Sequence, residues 1–302
     1  MTDKEGKTVT VTEKAYAKIN LYLDVLGKRS DGFHDILSVM QSVSLADLVT
    51  VSCEDSVTAE ITLSSSSSEI PTDSSNIVYR VAERYLDTFK ITARLHIHIE
   101  KHIPVGAGLG GGSSDGAAVL RALYRMFGKG SREQLLDICA SVGSDLPFCL
   151  LGGMQLCGGR GERLKRIDCT SASNFVIAIG SSRISTPKAY AALDRMNNDY
   201  VDYTPTEESL TYRRMIADTV NYGEDSIPIY NVFEQVTDID EIAKIKEIMI
   251  KNGAEITLMS GSGPSIFCFC RDSSEADRIC LGLRLGGFDA FDCHSVYPEE
   301  FI

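Results

Sequence analysis

Between Ile91 and Glu100 the chain alternates strictly. Ala93, Leu95, Ile97 and Ile99 fall on one side and Arg94, His96, His98 and Glu100 on the other, which predicts a half-buried strand. After a glycine-rich break, Ala117, Leu120, Ala122, Leu123 and Phe127 recur at helical spacing, and Gly128 supplies a stop. Upstream, Val9 to Lys14 begins as a strand and Ala15 to Leu26 reads as the next one. In the latter, Ile19, Leu21, Leu23 and Val25 share one face, leaving Lys18, Asn20, Tyr22 and Asp24 on the other. Strands are expected at Leu48–Ser52 and Val57–Leu63, and a helix over Asn76–Lys90 on the spacing of Ile77, Val81, Tyr85, Leu86 and Phe89. Ser131–Ser141 reads as a further helix.

The second half begins after a polar, glycine-rich passage at Gly158–Arg166. A strand is expected at Phe175–Ile179, then a helix from Pro187 to Met196 and helical patterns from Glu207 onward. Apolar strands follow at Ala254–Met259 and Ile266–Cys270, a helix at Glu275–Leu285 and a last strand at Phe291–Val296. The pattern is that of an α+β chain in two domains.

The break after the alternating strand reads P-V-G-A-G-L-G-G-G-S-S-D, with five glycines between Val105 and Ser113. A strand-to-helix turn so poor in side chains presents backbone N–H groups, and the helix beyond it aims its positive end at the loop. Ser113 or Ser114 is the natural N-cap. Such a turn is a candidate polyphosphate cradle. Gly106, Gly108 and Gly111 also satisfy G-x-G-x-x-G, but a dinucleotide site needs a parallel strand with an acidic residue after the helix, and a second helix stands there instead. A Walker A loop fails, because the only G-K-T, Gly6-Lys7-Thr8, has Met1 where its first glycine belongs. A purely structural glycine turn is the remaining alternative.

With 30 basic and 42 acidic residues among 302, the net charge of −12 argues against a nucleic-acid or membrane surface. An anionic ligand must then be held by local features. Nine cysteines without framework spacing, a polar N-terminus and no long apolar run suggest a reduced, cytoplasmic protein. Cys268-x-Cys270 is read as core packing.

The glycine loop resembles the ATP loop of the GHMP kinases, and Ala17-Lys18-Ile19-Asn20-Leu21 and Ser260-Gly261-Ser262-Gly263-Pro264-Ser265 are similar to that family's first and third motifs. The resemblance implies a ribosomal-protein-S5-domain-2-like N-terminal domain and a ferredoxin-like C-terminal domain, divided as 1–164 and 165–302, with the active site in the cleft between them. It implies an ATP-dependent kinase using Mg²⁺, with Pro104, Val105, Gly106, Ala107, Gly108, Leu109, Gly110, Gly111, Gly112, Ser113 and Ser114 holding ATP. Gly143-Ser144-Asp145-Leu146-Pro147 is similar to the family's catalytic segment, so Asp145 and Lys18 become the catalytic candidates. Arg29-Ser30-Asp31-Gly32-Phe33-His34 is similar to the members acting on a cytidyl diphosphate alcohol in isoprenoid precursor biosynthesis. On that basis Asn20, Phe33, His34, Thr186 and Tyr190 are the substrate candidates, and a monomer or weak homodimer is expected. Other acceptors of the group, mevalonate or homoserine, are the alternative, and a non-catalytic nucleotide-binding protein is a further one. Gly116 departs from the family, where alanine is usual.

Overall fold

The computed structural model describes residues 8–168, 172–197, 213 and 227–298. Strands β1 (Val9–Lys28) and β2 (His34–Asp55) form one long antiparallel hairpin, turning at Arg29–Phe33. The expected break near Lys14 is absent, and β2 begins well before the apolar pattern at Leu48 makes it visible. The far half of β2 pairs with β4 (Ala93–Glu100), which pairs in parallel with β3 (Glu60–Ser65). Its near half pairs with β5 (Met154–Gly158), itself paired with β6 (Arg163–Arg166). The glycine-rich stretch after Gly158 is thus a hairpin of the first sheet, correcting its reading as a passage between domains.

Irregular pairing in β1 also overturns the strict alternation of Ala15–Leu26. Asn20 pairs with Met40 but Tyr22 with Val39, so Leu21 is an extra residue. A one-residue bulge reverses the facing of everything after it. Lys18, Asn20, Leu23 and Val25 therefore share one face, while Ile19, Tyr22 and Asp24 share the other. Both faces are covered: Lys18, Asn20, Tyr22 and Asp24 are all buried.

Helices α1 (Ile77–Phe89), α2 (Gly111–Phe127), α3 (Arg132–Val142) and α4 (Leu146–Leu151) cover the end of this sheet carrying β4, where Val49, Val51, Leu95 and Ile97 meet Val81, Tyr85, Leu120 and Leu123. Asn76 caps α1 by accepting from the Val78 N–H, and Ser131 caps α3 in a capping box with Gln134. Gly116 has a packing reason. A Cβ there would stand 2.9 Å from Leu146 Cδ2 and 3.3 Å from Val81 Cγ2, so its absence lets three helices close on one another.

A second, four-stranded antiparallel sheet contains β7 (Asn174–Ile179), β9 (Thr257–Met259), β10 (Ile266–Cys270) and β11 (Asp289–His294), in the order β11-β7-β10-β9. With α5 (Thr186–Met196) and α6 (Asp240–Lys251) between β7 and β9, and α7 (Ser273–Leu285) before β11, this is the ferredoxin-like arrangement. Residues 198–212 and 214–226, where part of the helical pattern after Glu207 falls, lie outside the described residues.

The continuous apolar run of β7 follows from burial on both faces. Val176 and Ala178 face a core shared with Leu193 and Ile279, whereas Phe175, Ile177 and Ile179 pack with Ile19, Tyr22 and Val39 of the first sheet. Cys268 and Cys270 lie in the first of these cores. Among the described residues no helix is long and apolar enough to cross a membrane.

The two units are also stitched by β8 (Tyr230–Asn231), which pairs in parallel with Tyr22 and Leu23. The Asn231 carboxamide donates to the Met259 and Gly261 carbonyls at 2.6 and 2.8 Å and accepts from the Phe233 N–H. Replacing Asn231 by Ala strands these buried groups. Urea unfolding should show a loss of about 1–3 kcal/mol, and an unchanged midpoint would refute the role.

Candidate active site

The glycine loop works by division of labour between alternating residues. Ala107 and Leu109 are buried in the core between the sheets, and their carbonyls accept from the Ser265 and Lys18 N–H groups. Gly106, Gly108 and Gly110 between them have φ of 73°, 80° and 71°, a region that side chains disfavour. At Gly108 space is also lacking, because a Cβ would stand 2.7 Å from the Ser260 carbonyl oxygen and 2.9 Å from that of Gly263. The third glycine segment thus lies directly against the first.

Helix α2 starts at Gly111 with Gly110 as its N-cap, without a side-chain cap. This corrects the expectation that Ser113 or Ser114 caps it. Ser114 is buried, its hydroxyl donates to the Tyr16 carbonyl and its N–H to the Gly110 carbonyl, so it offers a phosphate neither group. Ser113 and the rest of 104–113 line a cleft of about 430 Å³.

Behind that cleft lies a buried charge cluster that the sequence pattern did not reveal. The Lys101 ammonium bridges the Asp47 and Asp115 carboxylates, and Asp47 also accepts from the Ile103 N–H at 2.8 Å. Burial opposes the charge on Lys101, but the two carboxylates outweigh it and hold its pKa above the ordinary lysine value. Burial pushes the Asp115 carboxyl up to about 7, against the pull of Lys101. Asp115 Oδ1 has no partner among the described residues.

Lys18 stands at the other end of the loop. It is only 4% exposed, donates to Asn20 Oδ1 at 2.8 Å and lies 3.8 Å from Asp145 Oδ2, which projects from the start of α4. Two charges at that separation attract by about 4 kcal/mol at an effective dielectric constant near 20. Asn20 is fixed in turn by Ser38, and its N–H reaches the Ser260 hydroxyl.

A second cleft, of about 550 Å³, opens beyond Lys18 and Asp145 and contains Phe33, His34, Thr186 and Tyr190. All five substrate candidates thus border one space. His34 Nε2 donates to Asp194 Oδ1 at 2.8 Å, and Asp194 also receives Lys28 at 3.0 Å. Asp194 lies one helical turn beyond Tyr190, which is the signal that could have identified it. The His34 and Tyr190 rings stack with centroids 4.5 Å apart. A base between them would need about 7 Å at van der Waals separation, so these two rings stack on each other and not around a base. Phe33 is 50% exposed, with the Arg160 guanidinium 4.8 Å from its centroid. Thr186 and Ser262 share a hydrogen bond of 2.8 Å.

Among the described residues, only Gly108 and Gly110 line both clefts. The Lys18–Asp145 pair stands beside that shared wall.

Comparison with known proteins bears on this arrangement. Residues 76–153 match the description "GHMP kinases N terminal domain" and residues 238–286 "GHMP kinases C terminal". A 4-diphosphocytidyl-2-C-methyl-D-erythritol kinase of Clostridium acetobutylicum is 38% identical over 90% of this chain and 95% of its own. One of Brevibacillus brevis is 39% identical over 96% of this chain and 98% of its own. Among solved structures, a 4-(cytidine 5'-diphospho)-2C-methyl-D-erythritol kinase superposes with a TM-score of 0.75 at 30% identity, covering 94% of this chain and 99% of that one. A homoserine kinase from Cytophaga hutchinsonii shares the fold at 18% identity and a TM-score of 0.73, covering 100% of this chain and 98% of its own.

The Asp115 environment gives a pH prediction. Its folded pKa near 7 lies above the unfolded 3.8, so the native state holds the extra proton and stability falls as pH rises between those values. Relative to an Asp115→Asn variant, the native chain should lose stability steadily as pH rises through that window and nothing more above it. Urea melts at pH 5, 6, 7 and 8 measure the difference, and a flat one excludes the shift.

Proposed function

The chain belongs to the GHMP kinase family, in the branch of the 4-diphosphocytidyl-2-C-methyl-D-erythritol kinases, and on that premise we propose that it transfers the γ-phosphoryl group of ATP to the 2-hydroxyl of 4-diphosphocytidyl-2-C-methyl-D-erythritol. The observation carrying this reading is the Lys18–Asp145 pair beside the backbone wall between two clefts. One cleft suits a polyphosphate by its glycine backbone and helix start. The other suits a pyrimidine diphosphate by its aromatic and basic lining.

Phosphoryl transfer asks for positioning and charge stabilisation more than for covalent chemistry. Asp145 accepts a hydrogen bond from the acceptor hydroxyl and takes its proton as the new O–P bond forms. The bond from the γ-phosphorus to the β–γ bridging oxygen breaks, and ADP leaves. A carboxylate is too weak to ionise an alcohol beforehand, but in a loose transition state it takes the proton as that bond forms. Lys18, steered by Asn20, faces the Asp145 carboxylate and offsets negative charge on the transferring group. The backbone amides of 106–112 and the start of α2 hold the other phosphates.

Mg²⁺ fits this site as an ion carried mainly by phosphate oxygens and water, where it offsets charge on the leaving diphosphate. Ser113, which lines the phosphate cleft, is the candidate protein hydroxyl for it. In the acceptor cleft His34, oriented by Asp194, reads the cytosine edge. Phe33 closes over the base, and Thr186 and Tyr190 border it from the second domain.

A product assay with ATP, Mg²⁺ and the cytidyl alcohol beside mevalonate and homoserine tests the reaction. Turnover of the cytidyl alcohol alone is expected, and preference for either other acceptor rejects the reading. Asp145→Asn should lower kcat about 10²–10⁴-fold with ATP affinity retained. Lys18→Ala should act similarly, and fully additive losses in the double variant would argue against a coupled pair.

A further inference from the structure

Three cations reach the glycine loop among the described residues, each against a different glycine. Built Cβ atoms would lie 3.9 Å from Arg183 Nη1 at Gly106, 2.9 Å from Lys18 Cγ at Gly110 and 3.3 Å from Lys101 Nζ at Gly111. Lys101 is neutralised by two buried carboxylates and Lys18 is engaged by Asn20 and Asp145. Arg183 is differently situated. Its side chain is 60% exposed, Nη1 donates to the Val105 carbonyl at 2.6 Å, and Nη2 lies 3.4 Å from a Glu69 carboxylate that is itself 57% exposed. An ion pair so open to water holds weakly, so Glu69 is easily exchanged for a more highly charged partner.

The segment carrying Arg183 is built to hold it there. Glu241, in the first turn of α6, accepts from the Ser181 and Ser182 N–H groups at 2.9 and 2.7 Å. Gly180 lets that carboxylate approach, since a Cβ would stand 2.3 Å from Glu241 Cδ. On the other side, Thr186 is bonded to Ser262. The residue thus belongs to the second domain, yet its head rests on the first domain's glycine loop. In a chain of net charge −12, a triphosphate held by amides and one engaged lysine needs further positive charge at the loop. A guanidinium fork is the side chain best matched to phosphate oxygens.

We propose that Arg183 is a phosphate contact of the nucleotide site supplied by the second domain, its guanidinium leaving Glu69 for the polyphosphate chain when ATP enters. This rests on the kinase reading above. Calorimetric titration of the full chain with ATP and with AMP tests it. Arg183→Gln should weaken ATP binding about tenfold and leave AMP binding unchanged. Glu69→Gln, which removes the competing carboxylate, should bind ATP at least as tightly as the native chain. Both side chains are exposed, so both variants should melt at the native temperature. Equal weakening towards ATP and AMP, native ATP affinity in Arg183→Gln, or weakened ATP binding in Glu69→Gln each overturns the proposal. If the native chain itself fails to bind ATP, the kinase reading fails rather than this inference alone.

Discussion

The site depends on two stretches of backbone coming into van der Waals contact. The loop at Gly108 touches the Ser260 and Gly263 carbonyls so closely that no side chain could come between. That contact joins residues more than 150 positions apart in sequence. It also aligns everything else: Asn20 reaches Ser260, Gly261 lies beside the Lys18 ammonium, and Asn231 holds the Met259 and Gly261 carbonyls from behind. The glycine loop therefore owes its shape to the second domain as much as to its own residues.

Charge is distributed with the same economy. The Lys101 cluster forms part of the cleft's floor beneath the loop and supports it, since Asp47 binds backbone N–H groups just ahead of Pro104. Lys18 is buried too, but its partner Asp145 keeps a side chain about one-third exposed. A buried ammonium facing a half-open carboxylate suits a site where a neutral hydroxyl must approach the acid. The histidine on the acceptor side follows a different rule: a carboxylate from α5 fixes the orientation of a ring at the start of β2.

Much of this was legible in the chain. The alternation of Ala93–Glu100, the helix ending at Gly128 and the helix following Asn76 all emerged where local pattern put them, because each is decided by neighbours within a few residues. Lys18 and Asp145 become candidates through the resemblance of the motifs around them to a family, not through spacing. The misreadings share one cause. The bulge at Leu21, the near half of β2 and the hydroxyl of Ser114 are settled by pairing with distant strands, which local periodicity does not register. Asp194 and Asn231 are not legible there, because one charged or amide residue on a helix or a short strand looks the same whether it faces water or another domain.

The partition between the two clefts has a wider consequence. Among the described residues the two share Gly108 and Gly110, which carry no side chains. On the function proposed above, what distinguishes one acceptor from another lies away from this wall, around Phe33, His34 and Tyr190. The doorway itself carries no chemical signature, so a lineage can exchange its alcohol by rebuilding the distal lining while the passage for the phosphoryl group stays as it is.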